Sequence, residues 1–161
     1  MTARKPKPDP ITVGWREWLS LPQLGAEWIK AQVDPGARSS SLHAVGIETE
    51  DRAGDTWVRF EIHPWQHSAH DTIAAEAPVL EFRDVKSSSG VVQHRPVIRT
   101  LLKLGAIERP IDLTLTRRDE MGFRMLLGRE ALRGWSLVDP GRSFLCGRPP
   151  AEVRRANRKQ P

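Results

Sequence analysis

The residue of this chain best suited to acid–base chemistry is an aspartate at the end of a short alternating segment. Apolar Ile29, Ala31 and Val33 alternate with polar neighbours, which predicts a half-buried strand that ends at Asp34. A Pro-Gly turn follows, and its glycine lets other backbone come close. Because such a carboxylate can exchange protons with a bound molecule, we predict that Asp34 is catalytic. The predicted active-site loop continues through Pro35, Gly36, Ala37 and Arg38.

A second motif far downstream joins an apolar segment to a glycine and an arginine. Residues 125–127 are apolar and lead into Gly128 and Arg129, and residues 129–133 could form one or two short helical turns. An Asp-x-Gly-Ala loop followed by an apolar-apolar-Gly-Arg segment resembles the paired signature of the retropepsins, the one-lobed aspartic proteases. This resemblance implies that a supporting loop of Gly128, Arg129 and Glu130 packs behind the Asp34 loop.

The resemblance covers most of the chain, from Val13 to about Gly147. The sequence resembles a family of bacterial proteins labelled "ATP-dependent zinc proteases" and now regarded as retropepsin-like. Seven blocks carry the resemblance in the same order: 14–18 (GWREW), 33–38 (VDPGAR), 42–44 (LHA), 85–90 (VKSSSG), 95–98 (RPVI), 121–132 (MGFRMLLGREAL) and 137–140 (LVDP). The resemblance implies an all-β fold, a small closed β-barrel of the acid-protease type with one short helix, and an aspartic endopeptidase.

Aspartic proteases activate a water between two carboxylates that share one proton, because like charges so close together cannot both ionise. The chain has one Asp34 loop of this kind, so the resemblance implies a homodimer in which each copy lends its Asp34 at a twofold axis. The implied substrate is a peptide or protein, and we expect no cofactor. A bell-shaped dependence of the rate on pH should follow from the shared proton.

A rival for the second acid lies within the same chain. Residues 138–141 repeat the Val-Asp-Pro-Gly of residues 33–36. Only 20 residues follow Gly141, too few for a second lobe, so we predict that Asp139 caps a turn instead.

Two loop residues depart from the family pattern. Pro35 stands where relatives have Thr or Ser, whose hydroxyl reaches across the dimer axis, and proline offers neither a hydroxyl nor an N–H. Arg38 stands where viral relatives have an acid that pairs with the arginine of the second motif. We predict that Arg38 pairs with Glu130 and that Arg129 turns to another carboxylate. The alternative is a solvated Arg38 that faces the substrate and favours acidic peptides.

The best candidate for a flap over the substrate is the hairpin tip Ser88, Ser89 and Gly90, whose small residues suit a moving lid. The alternative is an ordinary exposed hairpin.

The loop altered by Pro35 also leaves open another function, a non-catalytic peptide-binding module that partners an ATP-grasp ligase adding glutamate. That association explains the "ATP-dependent" label of the family better than ATP binding, since the chain has no Gly-x-x-x-x-Gly-Lys loop.

The family label also requires a search for zinc ligands. The chain has no His-Glu-x-x-His segment and a single cysteine, Cys146. His63, His67 and His70 are close in sequence, but Pro64 and polar neighbours favour a surface loop over a ligand-bearing helix. We therefore expect no metal, and a zinc-dependent hydrolase remains the third alternative.

Composition bounds the class of protein. The 161 residues carry a net charge of +5 and 39% hydrophobic residues, which predicts one globular domain over 12–147. We expect a disordered basic leader over 1–11 and a disordered basic tail over 148–161, with weak binding to RNA or the ribosome as the alternative for this charge. No apolar run is long enough for a membrane span, and one cysteine suits the cytoplasm.

Short alternating segments must position these residues. We predict an irregular stretch over 63–78 and strands over 29–33, 41–49, 56–62, 80–86, 91–98, 111–116, 123–127 and 135–138. Many short strands separated by turn residues favour a closed all-β barrel.

Overall fold

A computed structural model describes residues 9–65, 71–86, 89–117 and 122–158, and most of these residues lie in strands. The strands are β1 (Ile11–Gly14), β2 (Arg16–Leu21), β3 (Ala26–Asp34), β4 (Ser40–His43), β5 (Val45–Arg52), β6 (Asp55–Ile62), β7 (Ile73–Pro78), β8 (Glu81–Lys86), β9 (Val92–Leu104), β10 (Ile107–Thr116), β11 (Met125–Gly128) and β12 (Ser136–Asp139). The helices are α1 (Arg129–Leu132) and α2 (Ala151–Arg158), and a 3-10 turn spans Pro22–Leu24.

A closed barrel is the centre of the fold. Among the described residues, six strands pair in the order β10-β4-β11-β3-β2-β9, and β9 pairs again with β10 to complete the ring. Strand β8 adds to the outer edge of β9 as one arm of a hairpin. Closure removes unpaired edges from the barrel itself, as expected for a small all-β domain. The predicted all-β barrel is confirmed.

The barrel interior is filled by the apolar side of each alternating strand. In β3, Ile29, Ala31 and Val33 are buried while Lys30 and Gln32 are partly exposed, as the alternation predicts. Each fully buried aliphatic side chain contributes about 1.5–3 kcal/mol of transfer free energy. The largest fully buried side chains are Leu19, Leu21, Ile29, Leu42, Ile62, Ile98, Leu102, Leu104, Leu113, Leu115, Met125 and Leu127.

Two smaller sheets flank the barrel. Strands β5, β6 and β7 form an antiparallel sheet. Strands β1 and β12 pair in parallel, so a strand near the start of the described chain lies beside one that follows α1. The fully buried Glu17 joins the two ends, because its carboxylate accepts N–H groups of Gly14, Leu145 and Cys146 at 2.7–3.0 Å.

The structure corrects three sequence predictions. Strand β7 lies within the predicted irregular stretch, because full-length pairing with β6 compensates for a weak, alanine-rich strand pattern. The single strand predicted over 41–49 is two strands that separate at Ala44. The tail predicted to be disordered contains α2, whose first turn is closed by N–H groups of Val153 and Arg154 on the carbonyl of Pro150. Most of the predicted leader, residues 1–8, lies outside the described residues, and β1 begins at Ile11.

Candidate active site

Asp34 is the last residue of β3 and the first of a tight turn. The Ala37 N–H donates to the Asp34 carbonyl at 3.1 Å, which places Pro35 at the turn position that proline favours. The Gly36 N–H donates to Asp34 Oδ1 at 2.9 Å and so fixes the direction of the carboxylate. A Cβ atom at Gly36 would lie 3.0 Å from the same oxygen. Pro35 and Gly36 are exposed, so the tip of the loop lies at the surface.

The Gly-Arg motif lies directly behind this loop. Strand β11 runs parallel to β3 and brings Gly128 opposite Asp34. A Cβ atom at Gly128 would lie 2.4 Å from the Ser39 carbonyl oxygen, so only glycine allows this approach. The Gly128 N–H donates to Ser40 Oγ at 2.9 Å, and the next N–H donates to the Ala37 carbonyl at 2.7 Å. The two motifs therefore form one hydrogen-bonded unit.

The predicted ion pair between the two motifs is confirmed. Arg38 Nε donates to Glu130 Oε1 at 2.9 Å, and the Glu130 N–H donates to the Arg38 carbonyl at 3.0 Å. The hydrogen bond from Arg38 lowers the pKa of the Glu130 carboxyl, and the charges of Arg38, Arg83 and Arg133 add to this effect. The pair is exposed, so its importance lies in orienting the loop more than in stability.

The prediction for Arg129 is wrong. Its Nη1 donates to the Pro35 carbonyl at 3.2 Å, and no ion pair of Arg129 occurs among the described residues. Glu130 is already paired with Arg38, while the Pro35 carbonyl projects from the turn as a free acceptor within reach. Arg129 therefore holds the Asp34 loop from behind, at Pro35.

The repeated Val-Asp-Pro-Gly segment adopts the same turn. The Gly141 N–H donates to Asp139 Oδ1 at 2.9 Å, which confirms that Asp139 caps its turn. Gly14 lies opposite Asp139 in the parallel pair of β1 and β12, and the Trp15 N–H donates to the Arg142 carbonyl at 3.0 Å. Local turn geometry alone therefore does not distinguish Asp34 from Asp139.

A groove of about 430 Å³ begins beside the Asp34 loop, where Ser39 and Ser40 form part of its wall. Its charged lining residues are Arg83, Arg99, Arg109, Asp112, Glu130 and Arg133. Arg99 is paired with Asp112 at 2.9 Å, but neither Arg109 nor Arg133 makes an ion pair within the described part of the chain. Four arginines against two carboxylates make this groove cationic.

Sequence reasoning missed the groove and the role of Ser40. The arginines come from β8, β9, β10 and the end of α1, so only the closed barrel brings them together. Ser40 is buried and accepts the Gly128 N–H, whereas the run of three serines at 39–41 gave no sign of which one would do so.

The candidate flap is the tip of the hairpin between β8 and β9. Ser88 lies outside the described residues, while Gly90 has φ +85 and an added Cβ there would meet nothing within 4 Å. Val91, directly before β9, and Val92, its first residue, are 59% and 58% exposed. Arg83 of β8 lines the groove, so the stem of this hairpin borders the same space as the segment that follows the Asp34 loop.

Comparison with known proteins places this fold and these motifs in a family. A family model described as the retropepsin-like aspartic endopeptidase RimB matches residues 12–149. The chain belongs to the RimB-like family. The resemblance inferred from the sequence is thereby confirmed.

Curated relatives of this RimB-like chain carry a different kind of name. It is 48% identical over 135 residues to a probable alpha-L-glutamate ligase of Shewanella halifaxensis, a match that covers 84% of this chain and 30% of the relative. It is 53% identical over 137 residues to a probable alpha-L-glutamate ligase of Parasynechococcus marenigrum, covering 85% of this chain and 29% of the relative. The chain thus spans less than a third of the length of these relatives.

A solved structure shares the fold. The crystal structure of Lpg0085, a Legionella pneumophila protein of unknown function, aligns with a TM-score of 0.70 at 29% identity. The alignment covers 84% of this RimB-like chain and 98% of the Legionella chain.

Within the described residues of this RimB-like chain, no three His, Cys, Asp or Glu side chains form a group that could hold a metal ion. The ring of His63 lies 5.8 Å from that of the buried His43, and His67 and His70 lie outside the described residues. None of the described helices is long and apolar enough to cross a membrane.

Proposed function

We propose that this protein is an aspartic endopeptidase that acts as a homodimer, with one Asp34 from each copy. The observation that carries the proposal is the fixed Asp34 loop: its carboxylate is oriented by Gly36, its base is bonded to the Gly128 segment, and its tip is exposed. A loop anchored on one side and open on the other suits a site completed by a second copy.

The proposed reaction divides acid and base between two chemically identical groups. One Asp34 is ionised and the partner subunit's Asp34 is protonated, since the two cannot both be charged at hydrogen-bond distance. The ionised carboxylate takes a proton from water as the water oxygen bonds to the scissile carbonyl carbon, and the protonated one donates to the carbonyl oxygen. Cleavage of the C–N bond follows when the leaving nitrogen takes up the proton held by the first carboxylate. The second carboxylate takes back a proton from a hydroxyl of the tetrahedral intermediate as the C=O bond re-forms, which restores the starting pair.

Arg129 supports this reaction despite Pro35. In relatives a hydroxyl aligns the two loops across the axis, but here the Pro35 carbonyl is held by Arg129 Nη1 within its own chain. Each loop is therefore aligned by its own supporting segment before the copies meet, which reduces the ordering needed on dimerisation.

The cationic groove favours acidic peptides as substrates. It begins beside the Asp34 loop, and Arg109 and Arg133, which make no ion pair among the described residues, offer guanidinium groups that can bind carboxylates in bidentate geometry. The ligase names of the curated relatives support the same substrate class, because a glutamate ligase produces acidic side chains or tails.

We place this activity in the cytoplasm. Cys146 is a free cysteine, and burial, then the charge of Glu17, raise the pKa of its thiol to about 11. A neutral, half-buried thiol is typical of a structural cysteine in a reducing compartment.

The decisive experiment compares two matched variants. Asp34→Asn should abolish cleavage of a broad peptide library while leaving the fold and the sedimentation of the dimer unchanged. Asp139→Asn alters the same turn at the repeated motif and should retain cleavage. Equal activity of Asp34→Asn and wild type would overturn the proposed mechanism.

A second candidate function is a non-catalytic peptide-binding module that works with an ATP-grasp glutamate ligase. It is favoured by the length relation, since the similar region is about 30% of each probable ligase. This module would be a stable monomer that binds acidic peptides without cleaving them, and its binding would persist in Asp34→Asn. A dimer that cleaves peptides in an Asp34-dependent way excludes it.

A further inference from the structure

A second glycine-led segment reaches the Asp34 strand from the side opposite Gly128. Strand β3 has β11 on one side and β2 on the other. Trp15, directly before β2, accepts the N–H of Val33 on its carbonyl oxygen at 2.8 Å. Gly128 lies opposite Asp34 on the β11 side. Strand β3 is therefore held from both sides where it reaches its acid.

The segment Gly14-Trp15 is bonded to the repeated turn as the Gly-Arg motif is bonded to the Asp34 turn. The Arg129 N–H donates to the Ala37 carbonyl at 2.7 Å, and the Trp15 N–H donates to the Arg142 carbonyl at 3.0 Å. An added Cβ at Gly14 would collide with that same Arg142 carbonyl. The peptide groups of Trp15 therefore bridge two turns, because its N–H is bound to the repeated turn and its C=O to the Asp34 strand.

The side chain of Trp15 makes a third connection. Its ring lies edge-on to that of Phe123, with 5.9 Å between the ring centres, and Phe123 leads into β11. The Arg16 guanidinium lies 4.7 Å from the Trp15 ring and 4.9 Å from the Phe144 ring. Arg16 Nε also donates to Ser143 Oγ at 3.1 Å. Trp15 thus contacts β3 through its backbone and the segment before β11 through its ring.

The segment that carries Trp15 is itself firmly anchored. The buried Glu17 carboxylate accepts the Gly14 N–H at 2.7 Å and the N–H groups of Leu145 and Cys146 at 3.0 Å. Hydrogen bonds to a charged group are the stronger kind, and a buried carboxylate is costly to separate from its donors. A group can position another one only if it is rigid itself, and this anchoring meets that condition.

We propose that Trp15 is a positioning residue for Asp34. The inference rests on the proposed peptidase function. By restraining β3 from the β2 side, Trp15 reduces the reorganisation that the carboxylate needs before it reacts. The repeated turn thereby gains a role, since its Arg142 carbonyl holds the Trp15 N–H. Asp139→Asn keeps an oxygen acceptor for the Gly141 N–H, so this turn should persist in that variant.

The test replaces one backbone N–H with an ester oxygen in the full chain, by incorporating the α-hydroxy analogue of valine. An ester at Val33 removes the hydrogen bond to Trp15. An ester at Val79 is the matched control, because the Val79 N–H donates to the Thr56 carbonyl at 2.9 Å in another part of the fold. Both esters lose one hydrogen bond and should lower Tm. Only the Val33 ester should lower kcat, by about tenfold with KM unchanged. Equal kcat values for the two esters would overturn the inference.

A second measurement does not depend on catalysis. The Gly36 N–H donates to Asp34 Oδ1, so its hydrogen exchange, followed by NMR, reports how firmly the carboxylate is held. Exchange should be several-fold faster in the Val33 ester and unchanged in the Val79 ester. If the wild type cleaves no peptide, the peptidase function fails, and this comparison alone decides whether Trp15 fixes the Asp34 loop. Unchanged Gly36 exchange in the Val33 ester would overturn the inference in either case.

If the Val33 ester fails to fold, a pair of side-chain variants provides the comparison. Trp15 and Trp57 each have an arginine guanidinium over the ring, at 4.7 Å and 4.6 Å. Trp15→Ala should lower kcat and speed Gly36 exchange, Trp57→Ala should change neither, and Trp15→Phe should restore most of the wild-type values by keeping a ring beside Phe123. Wild-type kcat and Gly36 exchange in Trp15→Ala would contradict the role of Trp15.

Discussion

Gly128 lies directly opposite Asp34 in the parallel register of β11 and β3, so the glycine of one motif meets the acid of the other. Gly14 and Asp139 stand in the same relation in β1 and β12. In both places the glycine leaves room for the loop that follows the acid. Asp34, however, ends a barrel strand beside the cationic groove, whereas Asp139 ends a strand of the two-stranded sheet.

The backbone of Ser39 lies so close to Gly128 that adding a single methyl group there should strongly reduce the stability of the fold. Gly128→Ala should destabilise the fold by about 3 kcal/mol, because the new Cβ would lie 2.4 Å from the Ser39 carbonyl and the backbone must move. Urea unfolding measures the change. Gly122→Ala, where an added Cβ meets nothing within 4 Å, is the control and should alter stability by less than about 1 kcal/mol. Equal stabilities of the two variants would contradict this packing.

Replacing Pro35 with the threonine of its relatives should strengthen the dimer. Pro35→Thr should return the hydroxyl that relatives use across the axis and tighten the dimer by about 1 kcal/mol, roughly fivefold in Kd. Sedimentation at several concentrations gives this constant. A dimer no tighter than wild type would mean that the grip by Arg129 on Pro35 already supplies the alignment.

The ion pair of Arg38 and Glu130 predicts that the pKa of Glu130 changes when Arg38 is replaced. Because the Arg38 hydrogen bond lowers the pKa of Glu130 from its ordinary value of 4.5, Arg38→Gln should raise that pKa. The sign follows from linkage: the pair stabilises the folded loop above pH 4.5, and this contribution is lost as the pH falls through the lowered pKa. NMR titration of the Glu130 carboxyl carbon measures this pKa in the wild type and in Arg38→Gln. An unchanged pKa in Arg38→Gln would show that the pair does not form.

The groove predicts a charge-selective substrate preference. Arg133→Glu should lower kcat/KM for acidic peptides by about tenfold and leave neutral peptides nearly unchanged, since a favourable charge is replaced by a repulsive one. Arg155→Glu makes the same change of charge on α2 and should have no such selectivity. The preference for acidic peptides should also weaken with added salt. An equal loss of kcat/KM for acidic and neutral peptides would show that the substrate does not bind in this groove.

Short-range patterns predicted part of this site, and long-range topology decided the rest. The alternation of residues 29–33 identified β3, and the two motifs with their Arg38–Glu130 pair followed from residue types and spacing. The groove was not predictable, because its arginines are distant in sequence and meet only when β9 pairs with β10. Helix α2 was missed for a related reason: its charged sequence resembles a solvated tail, yet Asn157 is buried against the barrel.

The most direct test of the central claim mixes wild type with Asp34→Asn at a fixed total concentration well above the dimer dissociation constant. If two copies each supply one carboxylate, activity should follow the square of the wild-type fraction, so an equal mixture retains about 25% of the wild-type rate. A linear dependence, with about 50% retained in the equal mixture, would show that each chain acts alone and would contradict the shared site.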